Sequence, residues 1–120
     1  MKKLIFSTIA FLAVIASAFA QDAKHVTLEQ TKGDFTVKEL KLSEGTYIFD
    51  IKNVDVDHEV GFVLAPEGKL EPENHIKSAY VTKKVATGET VPTNEVMLKK
   101  GKYTYFCPLN PTPQYTLVVE

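Results

Sequence analysis

The segment Lys102-Tyr103-Thr104-Tyr105-Phe106-Cys107-Pro108-Leu109-Asn110-Pro111 contains the only cysteine of the 120-residue chain. Aromatic and polar residues alternate up to Cys107, as they do in a half-buried β-strand. Prolines at positions 108, 111 and 113 follow, and each one fixes φ and removes a backbone donor. We therefore predict a strand that runs into Cys107 and a stiff loop behind it, which together hold the thiol in a rigid position.

Similar short runs of alternating or β-branched residues occur through the chain, with turn residues between them. They span residues 26–31, 35–40, 46–53, 58–65, 89–98 and 115–119. Seven or so short strands at this spacing predict a single all-β sandwich domain. Pro92 interrupts the run 89–98, which indicates an edge strand or a bulge. Residues 72–84 are weakly patterned, and we predict a loop with one or two helical turns there.

The N-terminus has the pattern of a secretory signal peptide. Two lysines precede an apolar run over residues 4–19, and Ala18-Phe19-Ala20 provides a cleavage site before Gln21. This predicts a signal peptide at 1–20, a domain at 21–120, and a periplasmic or secreted protein with no membrane attachment after cleavage. A single cysteine in an exported chain cannot form an internal disulfide, so Cys107 is expected to be buried, metal-bound or paired with another chain.

The charge composition argues against nucleic acid as a partner. All 14 basic residues are lysines, against 15 acidic residues, and the formal net charge is −1. The predicted domain lacks Lys2 and Lys3, so its formal charge is −3. Phosphate recognition relies on concentrated positive charge and on arginine side chains, and this chain has no arginine.

The residues that carry chemistry point to a metal site more than to catalysis. The sequence has no glycine-rich phosphate loop, no serine nucleophile elbow and no histidine pair at zinc spacing, so we predict that it is not an enzyme. A thiolate and an imidazole together favour copper or zinc. Cys107 at a strand end and His58 at the predicted start of another strand can meet at one pole of a sandwich. An exposed loop histidine and an inert buried cysteine are the alternatives.

The pattern around these two residues resembles the cupredoxin family, which includes plastocyanin and pseudoazurin. The resemblance rests on Gly45–Phe49, Asn53, Val56–Val60 and, most specifically, Leu98–Pro108. It implies a Greek-key β-sandwich of about seven to eight strands with a copper site at one pole. It also implies that His58 and Cys107 are copper ligands, and that Asn53 and Pro108 lie next to them, with Asn53 helping to tie the ligand loops together.

The sequence departs from this family in the loop after the cysteine. The family pattern has a second histidine there, followed by an axial ligand that is usually Met or Gln. Residues 108–115 contain neither histidine nor methionine: Asn110 takes the place of the histidine, and Gln114 or Tyr115 that of the axial ligand. The predicted ligand set is therefore His58, Cys107, Asn110 and Gln114. An amide is a weak copper ligand, so we expect weak Cu(II) binding.

Three interpretations remain open. The first is a modified copper site for electron transfer or copper handling, holding Cu(I) and served by a redox or copper-handling protein partner; His25, His75 or that partner would complete the ligands. The second is a metal-free module that recognises a protein through the loop after Cys107 and through Tyr103, Tyr105 and Tyr115. The third is a redox-responsive thiol that forms an intermolecular disulfide.

Overall fold

The computed structural model describes residues 23–120, and in these residues nine β-strands form two sheets. The first sheet has the order β2-β1-β4-β6, with β7 also paired to β4, and the second has the order β3-β9-β8-β5. This confirms the predicted all-β sandwich. The strands are β1 Lys24–Thr31, β2 Asp34–Phe35, β3 Glu39–Leu42, β4 Gly45–Asn53, β5 Val63–Pro66, β6 Thr90–Pro92, β7 Val96–Leu98, β8 Gly101–Phe106 and β9 Tyr115–Val119.

The first sheet is built around β4, the longest strand. Its residues alternate between buried and half-buried positions, because one face of the strand packs into the core. Strand β1 runs parallel to it, in a register that ends with Gln30 opposite Asn53. Both β6 and β7 pair antiparallel with β4. This register brings the ends of β1 and β4 to the same pole of the sandwich.

Cys107 directly follows β8 of the second sheet, and its side chain is buried in the core of the sandwich. Strand β8 pairs antiparallel with both β5 and β9, while β3 runs parallel to β9. Along β8 the inward position before the cysteine is Tyr105, which is 0% exposed. Because side chains alternate along a strand, Cys107 follows Tyr105 toward the interior while Phe106 lies on the outer face.

Two predicted strands differ from those in the structure. Residues 35–40 are not one strand: Phe35 ends β2 in the first sheet and Glu39 begins β3 in the second, so the chain crosses between sheets. The predicted strand 58–65 begins only at Val63, and His58 lies in the preceding loop. In that loop Val60 is buried and pairs with Val85 through a single isolated bridge. Its apolar residues are therefore buried as in a strand, but they do not pair along a sheet.

The other interruptions of the sheets agree with the prediction. Thr93–Glu95 separates β6 from β7, so the run 89–98 is indeed interrupted after Pro92. Residues 67–84 form a loop with two single-turn 3₁₀ helices at Pro72–Asn74 and Lys77–Ala79. The backbone of Ile76 in this loop donates to the Leu64 carbonyl, at 2.8 Å, which fixes the loop along β5.

An aromatic cluster fills the core below the cysteine. The ring of Phe35, fully buried, meets Tyr105, Tyr115 and Phe62 edge-on, with centroid distances of 5.3, 5.9 and 6.1 Å. Tyr105 donates its hydroxyl to the Val37 carbonyl, at 2.7 Å. Burial, with a smaller contribution from the charge of Glu39, raises the pKa of Tyr105 to about 12. Through Tyr105 the cluster holds β8, the strand that leads to Cys107, in a fixed position.

The predicted signal peptide, residues 1–20, lies outside the described residues. Within residues 23–120 no helix is long and apolar enough to cross a membrane.

Candidate metal centre

Cys107 is held by three backbone and side-chain contacts at the end of β8. Its side chain is buried, with 1% exposed. The sulfur accepts hydrogen bonds from the backbone N–H of Gly61, at 3.3 Å, and of Asn110, at 3.2 Å. The N–H of Cys107 itself donates to Thr112 Oγ1, at 3.0 Å. Two N–H donors directed at one sulfur suit a thiolate, because an anion accepts stronger hydrogen bonds than a neutral group.

Pro108 restricts the loop backbone but makes no hydrogen bond to the sulfur. It is exposed and has no N–H, so it cannot compete as a donor at this position. The chain turns over residues 108–111, and the N–H of Asn110 is the loop donor that reaches the sulfur.

His58 is exposed in the loop between β4 and β5. Its Nδ1 lies 2.9 Å from the Glu59 carbonyl oxygen. A carbonyl only accepts hydrogen bonds, so Nδ1 carries the proton in the neutral ring and Nε2 keeps its lone pair. Metal-binding histidines commonly donate their other ring N–H to a backbone carbonyl in this way. The tautomer of His58 is therefore suited to ligation through Nε2.

Asn53 organises the loop that carries His58. It is fully buried at the end of β4. Its Nδ2 donates to the carbonyls of His58, at 3.0 Å, and Val85, at 3.2 Å, and its Oδ1 accepts from the Val56 N–H, at 2.9 Å. Asn53 thus ties the His58 loop to the segment around Val85.

Asn110 ties the cysteine loop to the end of β1. Its side chain is 2% exposed; Oδ1 accepts from the Gly33 N–H, at 2.7 Å, and Nδ2 donates to the Thr31 carbonyl, at 2.9 Å, and to Gln30 Oε1, at 3.1 Å. Both amide hydrogens are therefore used within the protein. Ligation of a metal by Asn110 Oδ1 stays a prediction, and it would compete with the hydrogen bond from Gly33.

The other predicted ligand of this loop, Gln114, is exposed just before β9. Its neighbour Tyr115 is half-buried, and its ring packs against Tyr105 at a centroid distance of 5.6 Å. Lys38 lies over the Tyr115 ring, with its Nζ 5.4 Å from the centroid. Tyr115 is therefore engaged in packing, and the axial position remains a prediction for Gln114 alone.

The two remaining histidines have other partners. His75 uses both ring nitrogens, with Nδ1 2.7 Å from the Tyr80 hydroxyl and Nε2 2.8 Å from the Leu70 carbonyl. His25 binds Asp50 through Nδ1 at 2.7 Å. His25 also precedes Gln30 by five residues on β1, which places it about 17 Å along the strand from the cysteine pole. Neither histidine completes a site with Cys107 in this structure.

The donors do not fit a four-ligand blue-copper site. Within residues 23–120 there is no group of three or more His, Cys, Asp or Glu residues arranged to hold a metal ion. What the pole does provide is one cysteine sulfur and one imidazole, on two loops connected by the bond from Gly61 N–H to the sulfur. Cu(I) is soft and accepts sulfur and imidazole ligands, so the chemistry of this smaller donor set fits Cu(I) better than Cu(II).

Two of the alternative interpretations lose a part of their basis. Tyr105 is fully buried, and Tyr103 and Tyr115 are half-buried and pack against the core, which argues against the three tyrosines as one recognition surface. They are packing residues. Cys107 is too deeply buried to meet a thiol of another chain without opening of the loop, which argues against a disulfide-forming role.

Gln30 and Gly61 also belong to this pole, although their place there was not predicted from the sequence. Gln30 Nε2 donates to the Gly61 carbonyl, at 2.7 Å, and Gly61 in turn donates to the cysteine sulfur. A signal was present in β1, where Val26 and Leu28 share the inward face with Gln30. A polar residue in the place of the next core residue marks a position with a specific hydrogen-bonding role.

Comparisons with known proteins agree with the fold. The family model described as "cupredoxin-like domain" matches residues 4–119. No curated protein matches the sequence. Auracyanin A, a "blue" copper protein from the bacterium Chloroflexus aurantiacus, is 19% identical; the match covers 82% of this chain and 100% of that chain, with a TM-score of 0.67.

Two further solved structures are similar. An azurin from Methylomonas sp. strain J is 17% identical over 82% of this chain and 99% of that chain, with a TM-score of 0.57. A Cu-containing nitrite reductase from Thermus scotoductus SA-01 is 21% identical over 83% of this chain but only 23% of its own, with a TM-score of 0.53. At these identities the likeness shows the fold alone.

Proposed function

The chain belongs to the cupredoxin-like family, and from this we propose that it is an exported copper-handling protein that binds Cu(I) through Cys107 and His58. The observation that carries the proposal is the pair of N–H groups directed at the buried Cys107 sulfur. One of these donors, Gly61, belongs to the same loop as His58. The loop that carries His58 is therefore hydrogen-bonded, through Gly61, to the sulfur of Cys107.

Copper handling is favoured over electron transfer by the donor set. A reversible electron carrier must hold Cu(I) and Cu(II) with comparable strength, and Cu(II) prefers more nitrogen and oxygen ligands. This pole offers one imidazole, and the amide of Asn110 is hydrogen-bonded within the protein. Bound copper would supply a soft cation kept in its reduced state. The protein groups orient the thiolate, by the two N–H donors, and set the imidazole tautomer, by the Glu59 carbonyl.

Export and a protein partner belong to the same proposal. The N-terminal pattern of residues 1–20 supports export to the periplasm or the medium. The loop after Cys107 presents Leu109, which is 43% exposed, among exposed prolines. Such a surface suits contact with a redox or copper-handling partner that gives or receives the metal. We propose a carrier role and not an enzymatic one.

Competition between the reduced, metal-free protein and a coloured Cu(I) chelator tests the proposal. We expect the wild type to remove one Cu(I) from the chelator, Cys107→Ser to remove none, and His58→Ala to bind about 10-fold to 100-fold more weakly. His75→Gln is the matched control, because both nitrogens of that imidazole are engaged elsewhere. Unchanged Cu(I) stoichiometry in a folded Cys107→Ser protein would overturn the assignment of the site.

A metal-free binding module is the second candidate, and the loop after Cys107 is the observation that favours it. Leu109 is exposed, yet the loop is fixed by the buried Asn110. A rigid apolar loop loses little entropy when a partner binds. If the protein does not compete for Cu(I) and Cys107→Ser has wild-type stability, this candidate is favoured. Leu109→Lys should then abolish capture of a partner from the exported fraction, whereas Met97→Lys, at an exposed site on β7, should not.

A further inference from the structure

The buried amides of Gln30 and Asn110 form a closed ring of hydrogen bonds with the cysteine. The sulfur accepts from Gly61 N–H, the Gly61 carbonyl accepts from Gln30 Nε2, and Gln30 Oε1 accepts from Asn110 Nδ2. The N–H of Asn110 then returns to the sulfur. Three segments far apart in sequence are joined by this ring: the end of β1, the loop with His58 and the loop after Cys107.

The orientation of the Asn110 amide is fixed by its partners. Its Oδ1 faces a donor, the Gly33 N–H, and its Nδ2 faces two acceptors, the Thr31 carbonyl and Gln30 Oε1. Rotation of the amide by half a turn would place oxygen against oxygen and N–H against N–H. Since Asn110 is 2% exposed and Gln30 is 0% exposed, water does not replace these contacts.

We infer that Gln30 and Asn110 act as a clamp that fixes the cysteine loop without any metal and keeps the pole from providing a second strong ligand for Cu(II). Both are positioning residues that act through Gly61 and Cys107, and the Asn110 amide is engaged by its hydrogen bonds to Gly33, Thr31 and Gln30 and not by the metal. The fixed loop is independent of the proposed function, whereas the selectivity against Cu(II) rests on Cu(I) binding by Cys107 and His58.

The clamp is physically suited to both roles. Residues 108–115 contain no histidine through which a bound metal could hold this part of the loop, and the two amides attach it to β1 instead. Asn110 Nδ2 donates both of its hydrogens to β1, to Gln30 Oε1 and the Thr31 carbonyl. The loop therefore cannot move toward His58 without loss of buried hydrogen bonds. Because residues 108–115 contain no histidine or methionine and Asn110 Oδ1 accepts from the Gly33 N–H, the pole keeps a low coordination number, which suits Cu(I) better than Cu(II).

Amide hydrogen exchange of the reduced, metal-free protein tests the fixed loop. We expect slow exchange of the Gly61 and Asn110 N–H groups in the wild type. In Asn110→Asp, Oδ1 is kept for Gly33 but both donations by Nδ2 are lost, and exchange at these two sites should be about 10-fold faster or more. Asn94→Ala, at an exposed position on the β6–β7 connection, is the control. Fast exchange at both sites in the metal-free wild type would overturn the clamp.

Cu(II) titration tests the selectivity. The wild type should show no visible thiolate-to-copper absorption, whereas Asn110→His, which replaces the clamp amide by an imidazole, should gain such a band. A strong band in the wild type, or the absence of any band in a folded Asn110→His protein, would contradict the selectivity. If Asn110→His does not fold, a wild type without the band and a Gln30→Ala protein with increased Cu(II) affinity support it. Failure of Cu(I) binding alone would refute the proposed function and leave the exchange result intact.

Discussion

Replacement of Asn53 by alanine should destabilise the pole strongly. The change removes three side-chain hydrogen bonds, two donated to the carbonyls of His58 and Val85 and one accepted from the Val56 N–H. The Val85 carbonyl keeps its bond from Val60 N–H, and the exposed His58 can bond to water. The Val56 N–H is different, because Val56 is 1% exposed and its donor would be left without a partner.

The magnitude follows from these three contacts. A typical net loss of about 1 kcal/mol for each bond, with a larger cost for the buried donor, gives a loss of about 3 kcal/mol in the free energy of unfolding. In a domain of this size, that loss lowers Tm by roughly 12–24 °C. Asn53→Asp keeps the acceptor for Val56 but buries a carboxylate oxygen against the carbonyls of His58 and Val85, so its Tm should fall at least as far as that of Asn53→Ala.

Urea unfolding of the reduced, metal-free protein gives the measurement, with Asn94→Ala as the exposed-amide control. A loss below about 1 kcal/mol in Asn53→Ala would refute the reasoning, since it would mean that the three bonds are replaced by water at little cost. The same variant should lose Cu(I) affinity if the loop position of His58 matters for ligation.

Two further predictions concern the turn at the clamp and the aromatic core. Gly33 has φ +75° and open space where a Cβ would lie, so Gly33→Ala should lower the free energy of unfolding by about 1–2 kcal/mol through the backbone alone. Gly61→Ala, whose Cβ would meet Leu109 at 3.7 Å, should be nearly neutral. Equal effects of the two variants on urea unfolding would contradict this. The pKa of Tyr105 is raised to about 12, so between pH 10 and 12 the unfolded chain releases this proton first and stability should decline, with no dependence on this group below pH 10. The decline should be smaller in Tyr105→Phe, and identical pH profiles for the two proteins would show that the phenol does not titrate as expected.

The strands that the sequence predicted well are those with one face in the core. The alternation in residues 46–53 corresponds to β4, where every second side chain is buried. The predicted strand from Lys102 to Cys107 corresponds to β8, although Thr104 is buried there next to Tyr105. The interruption at Pro92 was also readable, since proline cannot donate to a ladder. By contrast, residues 35–40 keep their alternation while the chain passes from one sheet to the other, and periodicity does not register that change of partner.

The pole was only partly predictable for a similar reason. Cys107 was identifiable from its strand and the prolines behind it, but the contact between Asn110 and Gln30 joins residues 80 positions apart, which a pattern within one segment does not reveal. His58 was expected at a strand start because Val60, Phe62 and Val63 are apolar. They are buried, yet Val60 forms only an isolated bridge, so the apolar character of this segment reflects burial and not membership of a sheet.

X-ray absorption at the copper edge of the Cu(I)-loaded protein tests the central claim most directly. We predict a low-coordinate copper with one sulfur neighbour and one imidazole nitrogen, and loss of the imidazole signal in His58→Ala. A copper without a sulfur neighbour, or one with the same spectrum in His58→Ala, would contradict the claim that Cys107 and His58 form the site.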